Sequence, residues 1–191
     1  MNPVSAALLI WYRKNKRVLP WRKISDPYCI WISEVILQQT RVNQGIDYYM
    51  RFIERWPDVE QLARASEQEV LKLWQGLGYY SRARNMRLAA QEIVNKHNGV
   101  FPKTAIELKK LKGIGDYTAA AISSIAFNEP VAVIDGNVFR MLSRLFNEVT
   151  PIDSAAARKT FLLLAESLLD KNHPGDFNQA IMEFGALQCV P

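Results

Sequence analysis

Two cysteines in 191 residues, Cys29 and Cys189, are too few and too far apart for a disulfide framework, and their spacing is not that of a metal site. A reducing compartment is the expectation. Long apolar runs are missing, so no membrane span or membrane partner is expected. Acid is missing from the start of the chain, where Asp26 is the first acidic residue. An acid-poor, basic beginning has the look of a transit peptide. However, Val4, Leu8, Trp11 and Tyr12 read better as the buried face of a first helix. The apolar piece from Val4 to Tyr12 also precedes the basic cluster from Arg13 to Arg17, which is not secretory order. A convincing strand pair, a repeat, a low-complexity tract and a linker are all lacking.

What is present is ordinary globular composition, 49% hydrophobic and 23% charged, in a chain long enough to bury a real core. The net charge of +5 fits a polyanionic partner without requiring one. Periodicity is helical nearly throughout and predicts helices near 3–16, 29–40, 43–55, 66–75, 82–97, 104–111, 116–127, 137–147, 154–170 and 176–187. Pro20, Asp26-Pro27, Pro57, Gly76, Gly78, Gly99, Pro102, Pro130, Pro151 and Pro174 fall between them. Asp58, Ser66, Thr104 and Asp153 suit helix N-caps, and Ser66 with Glu69 forms a capping-box pattern. Val131 to Ile134 is extended and apolar without an evident partner. The fold class is all-α.

The most informative stretch is Leu111-Lys-Gly-Ile-Gly-Asp-Tyr-Thr-Ala-Ala-Ala-Ile122, read as a glycine hairpin (Gly113, Gly115) opening the 116–127 helix, which Thr118 and the alanines after it let pack tightly beneath. Free backbone N–H groups at such a helix start suit a phosphate, and the hairpin carbonyls are a candidate site for a monovalent cation. The alternative is a helix joint with no ligand. A second candidate is Leu77-Gly-Tyr-Tyr-Ser-Arg-Ala-Arg84, where Tyr79 stands beside Arg82 and Arg84; aromatics next to arginines suit a base stack and its phosphates. Taken alone it reads better as a helix start with a solvated basic face and core tyrosines. Gln38-Gln39-Thr40-Arg41 closes an apolar helix with groups able to read base edges or to lie idle on the surface.

Two carboxylates carry the chemistry. Glu34 sits in Ile30-Trp-Ile-Ser-Glu-Val-Ile-Leu37, sharing a face with Ile30, Leu37 and Arg41. Apolar neighbours would raise its pKa and make it a general acid, unless it is a structural Glu paired with an arginine. Asp135, in Ile134-Asp-Gly-Asn-Val138, precedes a helix that would keep it ionised, whether as a catalytic group or simply as an N-cap. Two acids pushed in opposite protonation directions form an acid/base pair of the kind that glycosidic cleavage requires.

These motifs, with Leu19-Pro-Trp-Arg22 and Phe177-Asn-Gln-Ala-Ile-Met-Glu-Phe-Gly-Ala-Leu-Gln-Cys189, together resemble the helix-hairpin-helix DNA glycosylase superfamily. Ser33-Glu-Val-Ile-Leu-Gln-Gln-Thr40 and the Leu77–Arg82 motif resemble its adenine-specific MutY family. The resemblance covers almost the whole chain. It implies a two-lobed fold: a six-helix barrel lobe over 23–129 with the hairpin at 111–118, and a second lobe from 1–22 and 130–191. The implied partner is double-stranded DNA with adenine opposite 8-oxoguanine or guanine, the implied localisation is cytoplasmic, nucleoid-associated and bacterial-type, and a monomer is expected. By the same resemblance Glu34 would protonate adenine at N7, Asp135 would stabilise the sugar cation, and Tyr117 and Asn137 would orient the site. Trp21, Arg22, Leu37 and Gln179 would line the adenine pocket. Gln38, Gln39, Thr40, Tyr79, Arg82, Arg84, Gly113, Gly115 and Thr118 would hold DNA, with Gln39 and Tyr79 as wedges. Bifunctional relatives carry a catalytic lysine where this chain has Tyr117, so a monofunctional glycosylase is implied.

The family also carries a 4Fe-4S cluster on four cysteines. Cys189 matches the first, and the sequence stops at Pro191, so the second lobe is expected to be truncated at that cysteine and the cluster unassembled by this chain as given. The C-terminal domain with which the family recognises 8-oxoguanine is likewise not in the sequence. Two alternatives stand beside this reading: a thymine/uracil mismatch glycosylase, and a non-catalytic DNA-binding fragment.

Overall fold

The computed structural model describes residues 2–189, apart from the side chains of Lys23 and Ala155. Among them are eleven α-helices and one 3-10 helix at Pro20–Lys23, and no strand. The helices are α1 (Pro3–Asn15), α2 (Pro27–Leu37), α3 (Val42–Arg55), α4 (Val59–Arg64), α5 (Glu67–Trp74), α6 (Ser81–His97), α7 (Ala105–Leu108), α8 (Asp116–Phe127), α9 (Gly136–Phe146), α10 (Ala155–Leu168) and α11 (Pro174–Leu187). The all-α expectation holds. The chain divides into two units, one of residues 2–17 with 123–189 and one of residues 18–122. These changeovers lie at 17/18 and 122/123, where the sequence suggested 22/23 and 129/130.

In the 18–122 unit, Trp31, Ile32, Ile36, Phe52, Leu62, Trp74, Met86, Ile93 and Leu108 are fully buried. Phe52 meets Trp56 and Trp74 edge-on, at 4.8 and 6.3 Å between ring centroids. Burying such a ring contributes roughly 1.5–3 kcal/mol, so this cluster dominates the unit's stability. α6 turns Ala83, Ala89 and Ala90 inward, and these small side chains allow α4 to pack close through Val59 and Leu62. Arg87 and Gln91 of α6 donate to the Ala65 and Ala63 carbonyls, which closes the C-terminal end of α4. α4 has only six residues and was not assigned from periodicity, although its cap, Asp58, was: its carboxylate accepts from Gln61 N. The Ser66–Glu69 capping box forms on α5, and Thr104 caps α7. α10 is capped by Ser154, whose hydroxyl accepts from Ala157 N, and not by Asp153.

In the other unit, α11 packs on α1 and α9, and Phe161, Phe177 and Leu142 fill the interior. Two buried polar anchors fix the geometry. Glu183 accepts from the Arg17 backbone N–H at 2.9 Å and from its guanidinium at 2.9 and 2.6 Å, which raises the arginine's pKa. Asn178 donates to the Val131 carbonyl and Ser124 hydroxyl at 2.8 and 2.9 Å and accepts from Val133 N at 3.2 Å. The extended segment 131–134 therefore does have a partner, the side chain of Asn178, which replaces a neighbouring strand.

Candidate active site

The hairpin turns at Gly113, where φ is +77° and an added Cβ would lie 2.6 Å from Asn85 Cβ on α6. Glycine is required there on both counts. Gly115 has no such backbone demand, and a Cβ there would meet open space. Ile114 N returns to the Leu111 carbonyl, and Ala119 N to Gly115 O, so the turn runs directly into α8. Lys109 pairs with Asp116 at the start of that helix.

The first turn of α8 latches onto the end of α2 through two adjacent residues. Tyr117 donates its hydroxyl to Glu34 Oε2 at 2.7 Å. Thr118, buried, accepts from Gln38 Nε2 at 3.3 Å. Glu34 and Gln38 are four residues apart and so lie above one another on the same side of α2. α2 is apolar nearly all round, with eight of its eleven residues buried, and Glu34 is only partly exposed. The Tyr117 phenol thus fixes one oxygen of the Glu34 carboxyl against the start of α8.

α2 ends at Leu37, three residues earlier than the periodicity suggested. Gln39 takes a left-handed backbone, φ +59°, and Thr40 N returns to Leu37 O. Gln38, Gln39 and Thr40 thus form a turn rather than a last helical turn. Arg41 is exposed at the start of α3 and lies off the Glu34 face expected for it. Tyr79 is likewise left-handed, φ +46°, and two-thirds exposed after Gly76 and Gly78. Arg82 is turned inward: its guanidinium donates to the carbonyls of Val35, Ile36, Gln38, Leu77 and Gly78 and lies over the Trp74 ring. Those hydrogen atoms are committed to the framework, which corrects its reading as a phosphate contact. Arg84 pairs with Glu67 on the surface. Trp21 is buried and meets the Tyr49 ring edge-on at 5.1 Å. Arg22 follows it in the 3-10 helix, and Leu37 packs within reach of Gly45 of α3.

The second acid stands in the other unit. Asp135 is the N-cap of α9, its Oδ1 accepting from Val138 N at 2.8 Å. Its Oδ2 accepts from Asn137 Nδ2 at 2.8 Å, and Asn137 Oδ1 accepts in turn from Arg140 Nη2 at 2.8 Å. Arg140 also donates to Gly185 O from Nε and Nη2. This relay fixes which way the Asn137 amide faces. Burial nevertheless raises the Asp135 pKa, outweighing the hydrogen bonds from Val138 and Asn137 and the Arg140 charge. The simple expectation of an aspartate held ionised by its helix is therefore revised: the relay counteracts desolvation without overcoming it. Gln179 accepts from the Tyr12 hydroxyl at 3.3 Å on the same unit. Cys189 is a buried free cysteine just past α11, one sulfur where a cubane takes four, and Cys29 lies in the other unit against Asp26. Among the described residues no group of three or more His, Cys, Asp or Glu could hold a metal ion.

Three participants escaped sequence reading. Arg140 stands one helical turn beyond Asn137, but its anchor at Gly185 O, 45 positions on, has no local signal. Asn178 lies in a motif whose neighbouring Gln179 drew the attention. A glutamate–tyrosine pair separated by 83 positions has no sequence signature.

Comparison with known proteins places this geometry. The chain is 46% identical over 96% of its length to the adenine DNA glycosylase of Mus musculus, and 44% identical over 97% to that of Homo sapiens. It is 41% identical over 96% to the adenine DNA glycosylase of Buchnera aphidicola subsp. Baizongia pistaciae. It spans 38%, 36% and 52% of the length of these relatives. A solved thermostable thymine-DNA glycosylase superposes with a TM-score of 0.89 at 28% identity, covering 98% of this chain and 87% of that one. An endonuclease III–DNA complex shares the fold at a TM-score of 0.79 and 21% identity, covering 98% of this chain and 86% of that one. Residues 32–165 match the family model for HhH-GPD superfamily base excision DNA repair proteins, which takes in Glu34, the hairpin and Asp135. The chain belongs to the HhH-GPD superfamily of base excision DNA repair proteins.

Proposed function

We propose that this chain hydrolyses the N-glycosidic bond of adenine mispaired with 8-oxoguanine or guanine in duplex DNA, without cutting the strand. The observation that carries the reading is Glu34, set in the largely apolar α2 and held by the Tyr117 hydroxyl of the hairpin helix at 2.7 Å. The scissile bond lies inside the stacked duplex, so the nucleotide is first extruded. Glu34 gives its proton to N7 of adenine, and the base departs with the electron pair of the C1′–N9 bond. Asp135, when in its carboxylate form, steadies the positive sugar that remains. Water adds its hydroxyl to C1′ and its proton returns to a carboxylate. Free adenine and an abasic site result. Tyr117 offers no amine, so no Schiff base forms and no strand is cleaved.

The thymine-DNA glycosylase at a TM-score of 0.89 favours a second reading, removal of thymine or uracil opposite guanine. Glu34 distinguishes the two chemically, because a departing purine takes a proton at N7 and a pyrimidine has no equivalent position. A single-turnover assay on duplexes with A opposite 8-oxoguanine, A opposite G, T opposite G and U opposite G separates them. Adenine release alone is expected. Thymine or uracil release would support the second reading, and binding without release a non-catalytic module. A stoichiometric adduct trapped by borohydride would contradict a monofunctional mechanism.

A further inference from the structure

Gln39 and Tyr79 are both exposed residues with a Cβ in left-handed backbone, φ +59° and +46°. That conformation is disfavoured for both and persists only where surroundings impose it. The two sit on different segments, 40 positions apart. The carbonyl immediately before each accepts from one guanidinium: Gln38 O from Arg82 Nη1 at 2.6 Å, and Gly78 O from Arg82 Nη2 at 3.3 Å. The same group reaches Val35 O at 2.9 Å, Ile36 O at 3.3 Å and Leu77 O at 3.1 Å. It stacks 5.1 Å from the Trp74 centroid and 5.9 Å from that of Tyr79. Trp74 Nε1 shares the Gly78 carbonyl at 3.0 Å. The acceptors at Val35 and Ile36 are orphan carbonyls at the end of α2, where a cation is also favoured by the helix dipole.

We propose that Arg82 is a positioning residue whose planar fork locks segments 38–40 and 77–79 into one unit, so that Gln39 and Tyr79 are presented to DNA as a preset pair. The locking itself is independent of substrate; its use on DNA rests on the function proposed above. A planar guanidinium with parallel donors can bridge the two segments at once, whereas a lysine ammonium, a point charge on a flexible stem, reaches only one side well. Lysine therefore separates the clamp from a phosphate contact. A phosphate-neutralising arginine is largely rescued by lysine, and a clamp is not.

The test is amide hydrogen exchange on the whole chain, wild type against Arg82→Lys. Amides of 38–41 and 77–81 should exchange at least tenfold faster in the variant, both segments together, while the buried amides of α4 and α6 keep their protection. Unchanged exchange, or acceleration of one segment alone, overturns the clamp. If the variant loses protection everywhere, the wild-type chain decides. Its two segments should open with one common urea dependence, and separate dependences overturn the proposal. The DNA role is read with 2-aminopurine placed opposite 8-oxoguanine in a duplex. Wild type should raise its fluorescence at saturation, and Arg82→Lys should cut that rise at least fivefold. A variant equal to wild type would refute the clamp's use on DNA. A wild type that produces no rise would count against the proposed function and leave the exchange result standing.

Discussion

Replacing Gly185 by alanine adds one methyl group to the last turn of α11, where helix propensity alone favours the change by at most about 0.5–1 kcal/mol. The surroundings oppose it. The new Cβ would lie 2.3 Å from the Asn137 carbonyl oxygen, 2.7 Å from its carbon and 2.9 Å from Asn137 Cβ. The first two are backbone at the start of α9 and cannot rotate aside. Forcing a methyl group into such a site costs roughly 1–3 kcal/mol, and more if the shift parts Arg140 from Gly185 O, a charged hydrogen bond worth about 1.5–3 kcal/mol. The net expectation is a loss of about 1–3 kcal/mol, with Tm falling roughly 2–4 °C for each. Because Asn137 carries the amide that faces Asp135, adenine release should fall as well. Gly45→Ala is the internal contrast. Its Cβ would meet Leu37 Cδ2 at 2.7 Å, the far end of a flexible side chain, so its stability should stay close to wild type. Urea and thermal denaturation of both variants decide the matter. A Gly185→Ala protein as stable as wild type or more so would refute the argument that α9 and α11 approach too closely there for any side chain.

Tyr117→Phe removes the hydroxyl that orients Glu34; single-turnover adenine release should fall at least tenfold while the urea midpoint moves little. Asp135→Asn keeps an acceptor for Val138 N but sets one amide donor against the Asn137 amide, so activity should be lost while the fold is retained; a variant of near wild-type rate would remove Asp135 from the mechanism. Asp135 has a raised pKa, so the native state holds that proton more tightly than the unfolded chain. Its contribution to stability is therefore lost as pH rises through the folded value, and comparing pH-dependent denaturation of wild type and Asp135→Asn should show this slope vanish. The same shift moves the acid limb of the activity profile upward from where an unperturbed aspartate would put it. Asn178→Leu strands the Val131 carbonyl and Val133 N–H and should cost about 2–4 kcal/mol in urea denaturation.

Local grammar carried most of the fold. Ser66 and Glu69 announce α5 because a capping box is written within four residues. Gly113 is legible for the same reason, since its turn is a property of neighbours in sequence. Longer-range demands were not legible. α2 stops at Leu37 because Arg82, 45 positions on, takes its last carbonyls, and nothing in Gln38-Gln39-Thr40 signals that. A run of arginines reads as a basic face whether it meets phosphate, a carboxylate as Arg84 does, or buried carbonyls as Arg82 does. The Asp135 environment balances burial against a relay through Asn137 and Arg140, and the end of that relay, Arg140 on Gly185 O, joins residues 45 positions apart that nothing in the sequence pairs.

The central claim is that one glutamate supplies the proton that lets adenine leave. Its most direct measurement is single-turnover release of free adenine from an A:8-oxoguanine duplex by wild type and by Glu34→Gln, a variant that keeps an acceptor for Tyr117 but has no proton to transfer. The account expects release by wild type and a loss of at least a thousandfold in the variant, with duplex binding retained. Release by Glu34→Gln at a rate near that of wild type would contradict it.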